Sequence, residues 1–323
     1  GRLLPNEFIA VTGTNGKTTT VELIGHIHHE AGLPVAVAGN VGTALSGLVG
    51  KLSEHATIVC EASSFQLEDT LAFAPEAAVL LNITPDHLDR HGTLEDYRKA
   101  KLRIFAHQGA GDVAVIPAGL AEIELPPGVR RVCFDVDPQP DFAGLRLRGE
   151  HNHRNAMAAA AVCLARGIDL DALHRGLRAF PGVAHRLQEV ARDGGVLYVN
   201  DSKATNVAST RVALQAFPEG GVHLILGGQG KSQDFAPLRE PVAASCRAVY
   251  LIGEDAHRIA AALAGVAVPL RECGDLERAV AAASAAAGAG ETVLLSPACA
   301  SFDQFADFEA RGERFANLVR ETV

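Results

Sequence analysis

Short apolar runs alternate with longer helical stretches along the whole chain. Residues 7–11 are a short apolar run that leads straight into a glycine-rich turn. Residues 18–31 read as a helix, stopped by Gly32, Leu33 and Pro34. Residues 34–38, 57–61 and 77–82 are apolar, short and bounded by turn residues, which predicts buried strands. Residues 95–107 form a helical stretch rich in basic residues, 113–116 and 131–134 are further strands, and 155–166 and 170–180 are helices. Strand followed by helix, repeated, predicts a parallel sheet covered on both faces.

The pattern breaks at Phe180, Pro181 and Gly182 and then restarts. Strands are expected at 196–200, 222–226, 248–252 and 292–296. Helices are expected at 206–216, 256–264 and 276–287, with a last one from about 303 to 320. The alanine-rich stretch 279–288 reads as a tightly packed helix, since alanine is the best helix former. The fold class is therefore α/β: a P-loop-type domain with a mostly parallel sheet over residues 1–182, then a smaller Rossmann-like, doubly wound domain over 183–323.

Composition narrows the partners. A chain of 323 residues exceeds what one core usually organises, in line with two domains. The formal net charge of −9 argues against a nucleic-acid backbone as partner, so anionic substrates must be held by local basic groups and loops. The six cysteines are scattered without a CxxC pair, which disfavours a zinc site or a disulfide framework and reads as buried thiols in a reducing cytosol. No 18-residue apolar run and no signal-like N-terminus occur, so a cytoplasmic protein without a membrane span is expected. A monomer is expected as well.

The chemistry starts at Thr12-Gly13-Thr14-Asn15-Gly16-Lys17-Thr18-Thr19-Thr20, between an expected strand and an expected helix. Glycines let the backbone curl so that N–H groups point inward, and the following helix adds its positive end. Lys17 can reach the β and γ phosphates and the Thr18 hydroxyl can ligate Mg²⁺. Val11 stands where the longer signature has its first glycine, so this is a shortened loop, GxxGK[ST]. The bland alternative, a Gly-Thr turn before an ordinary helix, leaves Lys17 unexplained. Gly13, Thr14, Asn15, Gly16, Lys17, Thr18 and Thr19 are the expected nucleotide contacts. Glu61 closes an expected strand, where a carboxylate faces the crevice in which open sheets bind nucleotides. It offers Mg²⁺ a hard oxygen, against the plainer reading of a surface glutamate.

The loop resembles that of the Mur ligases and folylpolyglutamate synthetases, which make amide bonds through an acyl phosphate. Three further segments resemble the central domain of that superfamily: Glu61-Ala62-Ser63-Ser64-Phe65-Gln66-Leu67, Asn82-Ile83-Thr84-Pro85-Asp86-His87-Leu88-Asp89 and Tyr97-Arg98-Lys99-Ala100-Lys101. Asp201-Ser202-Lys203-Ala204-Thr205-Asn206 and Ser296-Pro297-Ala298-Cys299-Ala300-Ser301-Phe302-Asp303-Gln304-Phe305 resemble the D-glutamate-adding branch of the Mur ligases. The resemblance covers nearly the whole chain and implies that the domain over 1–182 holds ATP and the domain over 183–323 the amino acid.

It implies two Mg²⁺ ions, with Thr18, Glu61, His87 and Lys101 as metal residues and Lys101 carrying a carbamate. Read alone, His87 is a solvated loop histidine and Lys101 part of a solvated basic face with Arg98, Lys99 and Arg103. Asn155 is expected to contact adenine, the alternative being a helix N-cap. Arg186, beyond the break, is expected to neutralise the γ-phosphate, and Asp201 to bind the ribose. Lys17, Glu61, His87, Lys101 and Arg186 form the expected catalytic set. Asn40, Ser63 and His87 are assigned to substrate, and Lys203, Thr205, Lys231, Ser301, Phe302 and Phe308 to the incoming amino acid. Lys231 lies in a glycine-rich turn that resembles a second phosphate loop, but Asp234 and Pro237 disfavour the helix such a loop needs.

The implied substrates are ATP, a UDP-linked muramoyl-alanine and D-glutamate. Mur ligases carry an N-terminal domain for the uridine nucleotide, and this chain opens a few residues before the ATP domain, so weak affinity for the UDP substrate is expected. The rival readings are a related Mur or folylpolyglutamate-type ligase using another amino acid, an ATP-binding module without turnover, and a small-molecule kinase. The last is disfavoured by the lack of an arginine-rich lid.

Overall fold

In the first unit, five-residue β1 (Phe8–Thr12) is buried throughout, as are β4 (Ala77–Leu80) and β5 (Val113–Ile116). Together with β2 (Val35–Gly39), β3 (Thr57–Glu61) and β6 (Arg130–Cys133) they form one sheet in the order β2-β3-β1-β4-β5-β6. Every pairing in it is parallel. Strands buried on both faces need no alternation, which is why their sequences read as continuous apolar runs. The structure is a computed structural model, and it describes all residues except 1, 2, 41, 137, 138, 146, 148, 218, 219, 231 and 323, with only the backbone of residues 88 and 89.

Helices α1 (Lys17–Glu30), α5 (Glu150–Ala165) and α6 (Leu170–Ala179) pack together beside this sheet. Their approach is close: a Cβ on Gly176 of α6 would lie 2.9 Å from the Cα of Ile27 in α1. Three short helices complete the unit: α2 (Ser64–Glu68), α3 (Leu88–His91) and α4 (Leu94–Leu102). Leu67, Ile104, Phe105 and Ile123 close a second core against Ala10, Ala78, Leu80, Ala114 and Ile116.

The chain divides into two compact units, Gly1–Pro181 and Gly182–Val323. The second unit holds β7 (Gln188–Asp193), β8 (Val196–Asn200), β9 (Val222–Gly227), β10 (Cys246–Ile252), β11 (Leu270–Gly274) and β12 (Thr292–Leu295). Their order is β11-β10-β9-β12-β8-β7, parallel except for β7, which runs antiparallel to β8. Helices α7 (Val207–Gln215), α8 (Arg239–Ser245) and α9 (Ala256–Ala262) cover one face, and α10 (Leu276–Ala286) and α11 (Phe308–Thr322) the other. Strand β8 shows the period of two: Leu197 and Val199 enter the first core, Val196 and Tyr198 the second. The α/β reading holds in both units.

Several elements differ from the expectation. The helix expected over 155–166 begins at Glu150, after Gly149 at φ +85°, because its first turns are polar and carry no apolar period. The expected 95–107 helix ends at Leu102 and tightens into a 3₁₀ turn at Arg103–Phe105. The last helix begins only at Phe308, where the Asp307 carboxylate accepts from the Ala310 N–H. Strands β7 and β11 and helices α2, α3 and α8 were not anticipated. Among the described residues all six cysteines are free thiols, three of them buried.

Candidate active site

The glycine loop sits at the carboxyl end of β1, between it and α1. Gly13 and Gly16 hold φ of +154° and +89°, conformations that side chains rarely adopt. A Cβ on Gly16 would lie 2.1 Å from Oδ1 of Asn155, so the loop is seated directly on α5. Asn82 braces it from β4's end: its Oδ1 accepts from the Asn15 N–H (2.9 Å) and its Nδ2 donates to the Asn15 carbonyl (3.1 Å). The Thr14 hydroxyl donates to the Thr84 carbonyl and accepts from Tyr97 (3.2 Å).

Glu61 ends β3 and is 2% exposed. Its Oε2 accepts from the Thr18 hydroxyl at 2.9 Å and its Oε1 from the Asn40 amide at 3.0 Å. Neighbouring parallel strands that end together explain the meeting: Gly39 of β2 and Val11 of β1 both stand in register with Glu61. Thr18, Asn40 and Glu61 are thus brought together beneath the loop.

Two lysines converge on one carbonyl. Lys17 Nζ donates to the Gly13 (3.0 Å) and Thr14 (2.9 Å) carbonyls, and Lys101 Nζ donates to the Gly13 carbonyl at 2.8 Å. Lys101 is 1% exposed and lies 4.5 Å from the centroid of the Tyr97 ring, one turn earlier on α4. Burial pulls its ammonium down to about 7, and the charge of Lys17 pushes the same way. The solvated basic face proposed for Lys101 is therefore not what the fold makes of it: Lys99 stays exposed while Lys101 turns inward, being on the buried side of α4.

His87 holds a positive φ of +52°, with Nε2 3.5 Å from Oδ2 of Asp86. Its ring lies 5.0 Å from Phe65 and 6.5 Å from Tyr97. Ser63 caps α2, its hydroxyl accepting from the Gln66 N–H and its own N–H donating to Gln66 Oε1, so a substrate contact has to share that oxygen. Asn155 lies inside α5, not at its N-cap, which is Gly149. Its Nδ2 donates to Asn152 Oδ1 (3.2 Å), and Asn155 itself lines a cavity of about 90 Å³ with Asn15, Gly16, Asn82, Phe134, His151 and Arg154. Thr19 is buried in the first turn of α1. Among the described residues no three His, Cys, Asp or Glu side chains gather as a metal cluster. The hydroxyl and carboxylate of Thr18 and Glu61 are nonetheless the hard oxygens that Mg²⁺ takes.

In the second unit Asp201 follows β8 and is buried. Its Oδ1 accepts from the Leu187 N–H (3.1 Å) and its Oδ2 from the Ser296 hydroxyl (2.8 Å). Burial pushes its carboxyl up to about 7, against the pull of those two donors and of Arg186. Arg186 is half-buried between His185 and Leu187, both at positive φ. Lys203 Nζ lies 4.9 Å from the Phe308 ring centroid, and Thr205 follows in the same loop. Ser301 is buried and Phe302 is 62% exposed. Lys231 lies outside the described residues. In the turn before it Asp255 Oδ2 accepts from the Gly230 N–H at 2.6 Å and the next helical turn begins at Ala236, both of which disfavour a phosphate loop there.

Residues 11–124 match the Mur ligase middle domain and residues 185–299 the Mur ligase glutamate ligase domain. The UDP-N-acetylmuramoylalanine–D-glutamate ligase of Acidobacterium capsulatum is 42% identical, over 98% of this chain and 75% of its own length. That of Solibacter usitatus is 43% identical, over 98% and 76%. The chain belongs to the Mur ligase family. Among solved structures the MurF ligase of Thermotoga maritima in complex with ADP superposes with a TM-score of 0.70 at 19% identity, covering 98% of this chain and 81% of that one. At that identity the likeness shows the Mur ligase fold alone. Residues missed in the sequence include Asn82, Tyr97 and Arg311. Asn82 and Tyr97 lie within segments that carry the family resemblance, whereas Arg311 lies in an ordinary amphipathic helix with nothing to mark it.

Proposed function

We propose that this Mur ligase uses ATP to activate the carboxylate of UDP-N-acetylmuramoyl-alanine and joins it to D-glutamate, in peptidoglycan precursor synthesis. The observation that carries the reading is the hydrogen bond from Thr18 to Glu61 under a glycine loop that also gathers Lys17 and Lys101. D-Glutamate as the amino acid is supported by the relatives of that name. The first unit holds the nucleotide through Gly13–Thr19 amides and Lys17, with Asn155 beside adenine. Thr18 and Glu61 would hold one Mg²⁺ and His87 with a Lys101 carbamate a second. Bound there, Mg²⁺ supplies positive charge to the phosphate oxygens. Carbamylation suits a buried lysine whose amine is readily neutral: the lone pair of Nζ attacks CO₂, a proton is lost, and a cation becomes a two-oxygen anion.

The acceptor carboxylate attacks the γ-phosphorus, the bond to the β–γ bridging oxygen breaks, and ADP leaves. The neutral amine of D-glutamate then attacks the acyl carbon, and the tetrahedral intermediate expels phosphate. Lys17 neutralises charge on the transferring group. His87 or a carboxylate takes the amine proton. In the second unit Lys203, Thr205, Lys231, Ser301, Phe302 and Phe308 receive the amino acid; its two carboxylates need two sets of donors. Arg186 and Asp201 are assigned to the phosphate and the ribose. A panel of amino acids in an ADP-release assay tests this. Release should depend on D-glutamate, and equal release with L-lysine, diaminopimelate or L-alanine would reject it.

A further inference from the structure

Arg311, on the first turn of α11, is 1% exposed, and among the described residues none of its hydrogen bonds goes to a carboxylate. Its Nε donates to Ser202 Oγ (2.9 Å), and its Nη2 to the carbonyls of Ser202 (2.8 Å) and Cys299 (3.0 Å). Among the described residues Nη1 has no hydrogen-bond partner, and a Cβ on Gly228 would sit 3.3 Å from it. One guanidinium therefore ties two separate segments by hydrogen bonds and fills the space beside a third, where Gly228 leaves no room for a side chain. Ser202 belongs to the loop with Lys203 and Thr205, Cys299 to the loop with Ser301 and Phe302, and Gly228 to the turn that leads to Lys231. Helix α11 adds a fourth tie, since the Ser202 hydroxyl donates to the Phe308 carbonyl (2.8 Å). Phe308 in turn carries Lys203 over its ring.

We infer that Arg311 is the positioning residue of the amino-acid site, holding in one geometry the loops whose side chains receive the dicarboxylate. Two chemical features single out a guanidinium here. Its planar fork meets the hydroxyl and carbonyl of one residue through two N–H groups held in fixed relative geometry, a pre-organisation that the freely rotating ammonium of lysine lacks. It also remains a cation, burial lowering it only to about 10, among groups assigned to a dianionic amino acid. An apolar residue in its place would leave the Ser202 and Cys299 carbonyls buried without these donors. This inference rests on the reading of the second unit as the D-glutamate site.

Arg311→Lys and Ser202→Ala test it, in a phosphate-release assay with ATP and acceptor saturating and D-glutamate varied. Circular dichroism and urea unfolding establish the folded fraction. Arg311→Lys should raise KM for D-glutamate roughly 10- to 100-fold, the range for losing hydrogen bonds to a charged donor, while KM for ATP stays within about twofold. Ser202→Ala should shift KM for D-glutamate in the same direction by roughly 5-fold, as the hydroxyl that links Arg311 Nε to the Phe308 carbonyl is lost. A residue needed only for packing would lower the active fraction and leave KM unchanged; that result in either folded variant overturns the inference, as does an equal rise in both KM values. If Arg311→Lys does not fold, Ser202→Ala decides alone. A wild-type chain whose turnover ignores D-glutamate would instead remove the ligase reading, and this inference with it.

Discussion

Lys17 and Lys101 both donate to the Gly13 carbonyl, an arrangement that two full charges in a buried place resist. Lys101 yields, since it is the more deeply buried of the two. Lys101→Ala is expected to cost at least about 100-fold in kcat, on the scale of losing one electrostatic group at a phosphoryl-transfer site. Short-chain carboxylic acids should restore part of it by replacing the carbamate oxygens; a variant that no carboxylate rescues would contradict the carbamate role. Asp201 makes a different prediction. Its folded-state carboxyl is raised to about 7 from an ordinary 3.8, so the folded protein binds the extra proton between those values. Its contribution to stability is full below about 4 and is lost as pH rises through about 7. Asp201→Asn keeps a neutral group there, so its stability relative to wild type should climb between pH 4 and 7 and then level off. Parallel urea-unfolding profiles across that range would show that Asp201 does not titrate this way.

Helix α11 docks through backbone at Gly312, whose carbonyl accepts from Asn200 Nδ2 at 3.0 Å. A Cβ there would lie 2.1 Å from His185 Nδ1. Gly312→Ala gains about 1 kcal/mol of helix propensity but overpacks a contact worth about 1–3 kcal/mol. Net destabilisation by urea unfolding is expected, and a stabilised variant would mean that the helix does not seat on His185. The elements legible in the sequence are those whose burial is uniform: every residue of β4, β5 and β8 is buried. The start of α5 is hidden in the sequence by the polar run His151-Asn152-His153-Arg154-Asn155, of which His151, Arg154 and Asn155 line the cavity. Strand β7, Gln188–Asp193, is an edge strand with exposed charges and has no apolar run to read. The same limit applied to the site. Thr18 and Glu61 were placed near a nucleotide by motif and strand end, but their hydrogen bond, and that of Lys101 to Gly13, depend on strand register that no spacing reveals.

At the scale of the whole chain, two sheets of six strands each carry one part of the assigned chemistry. With a net charge of −9 the binding of anions falls to loops and single cations, not to a general field. No helix among the described residues is long and apolar enough to cross a membrane. The chain spans about three quarters of the length of its curated relatives, 75% and 76% for two of them, and both Mur ligase regions fall within that span. The central claim is that ATP is spent on the acceptor's carboxylate and not on water. The direct measurement is isotope transfer: UDP-N-acetylmuramoyl-alanine labelled with ¹⁸O in its terminal carboxylate is turned over with ATP and D-glutamate, and the released phosphate is weighed by mass spectrometry. One ¹⁸O per amide bond formed should appear in the phosphate, whereas unlabelled phosphate alongside ADP would contradict acyl-phosphate formation.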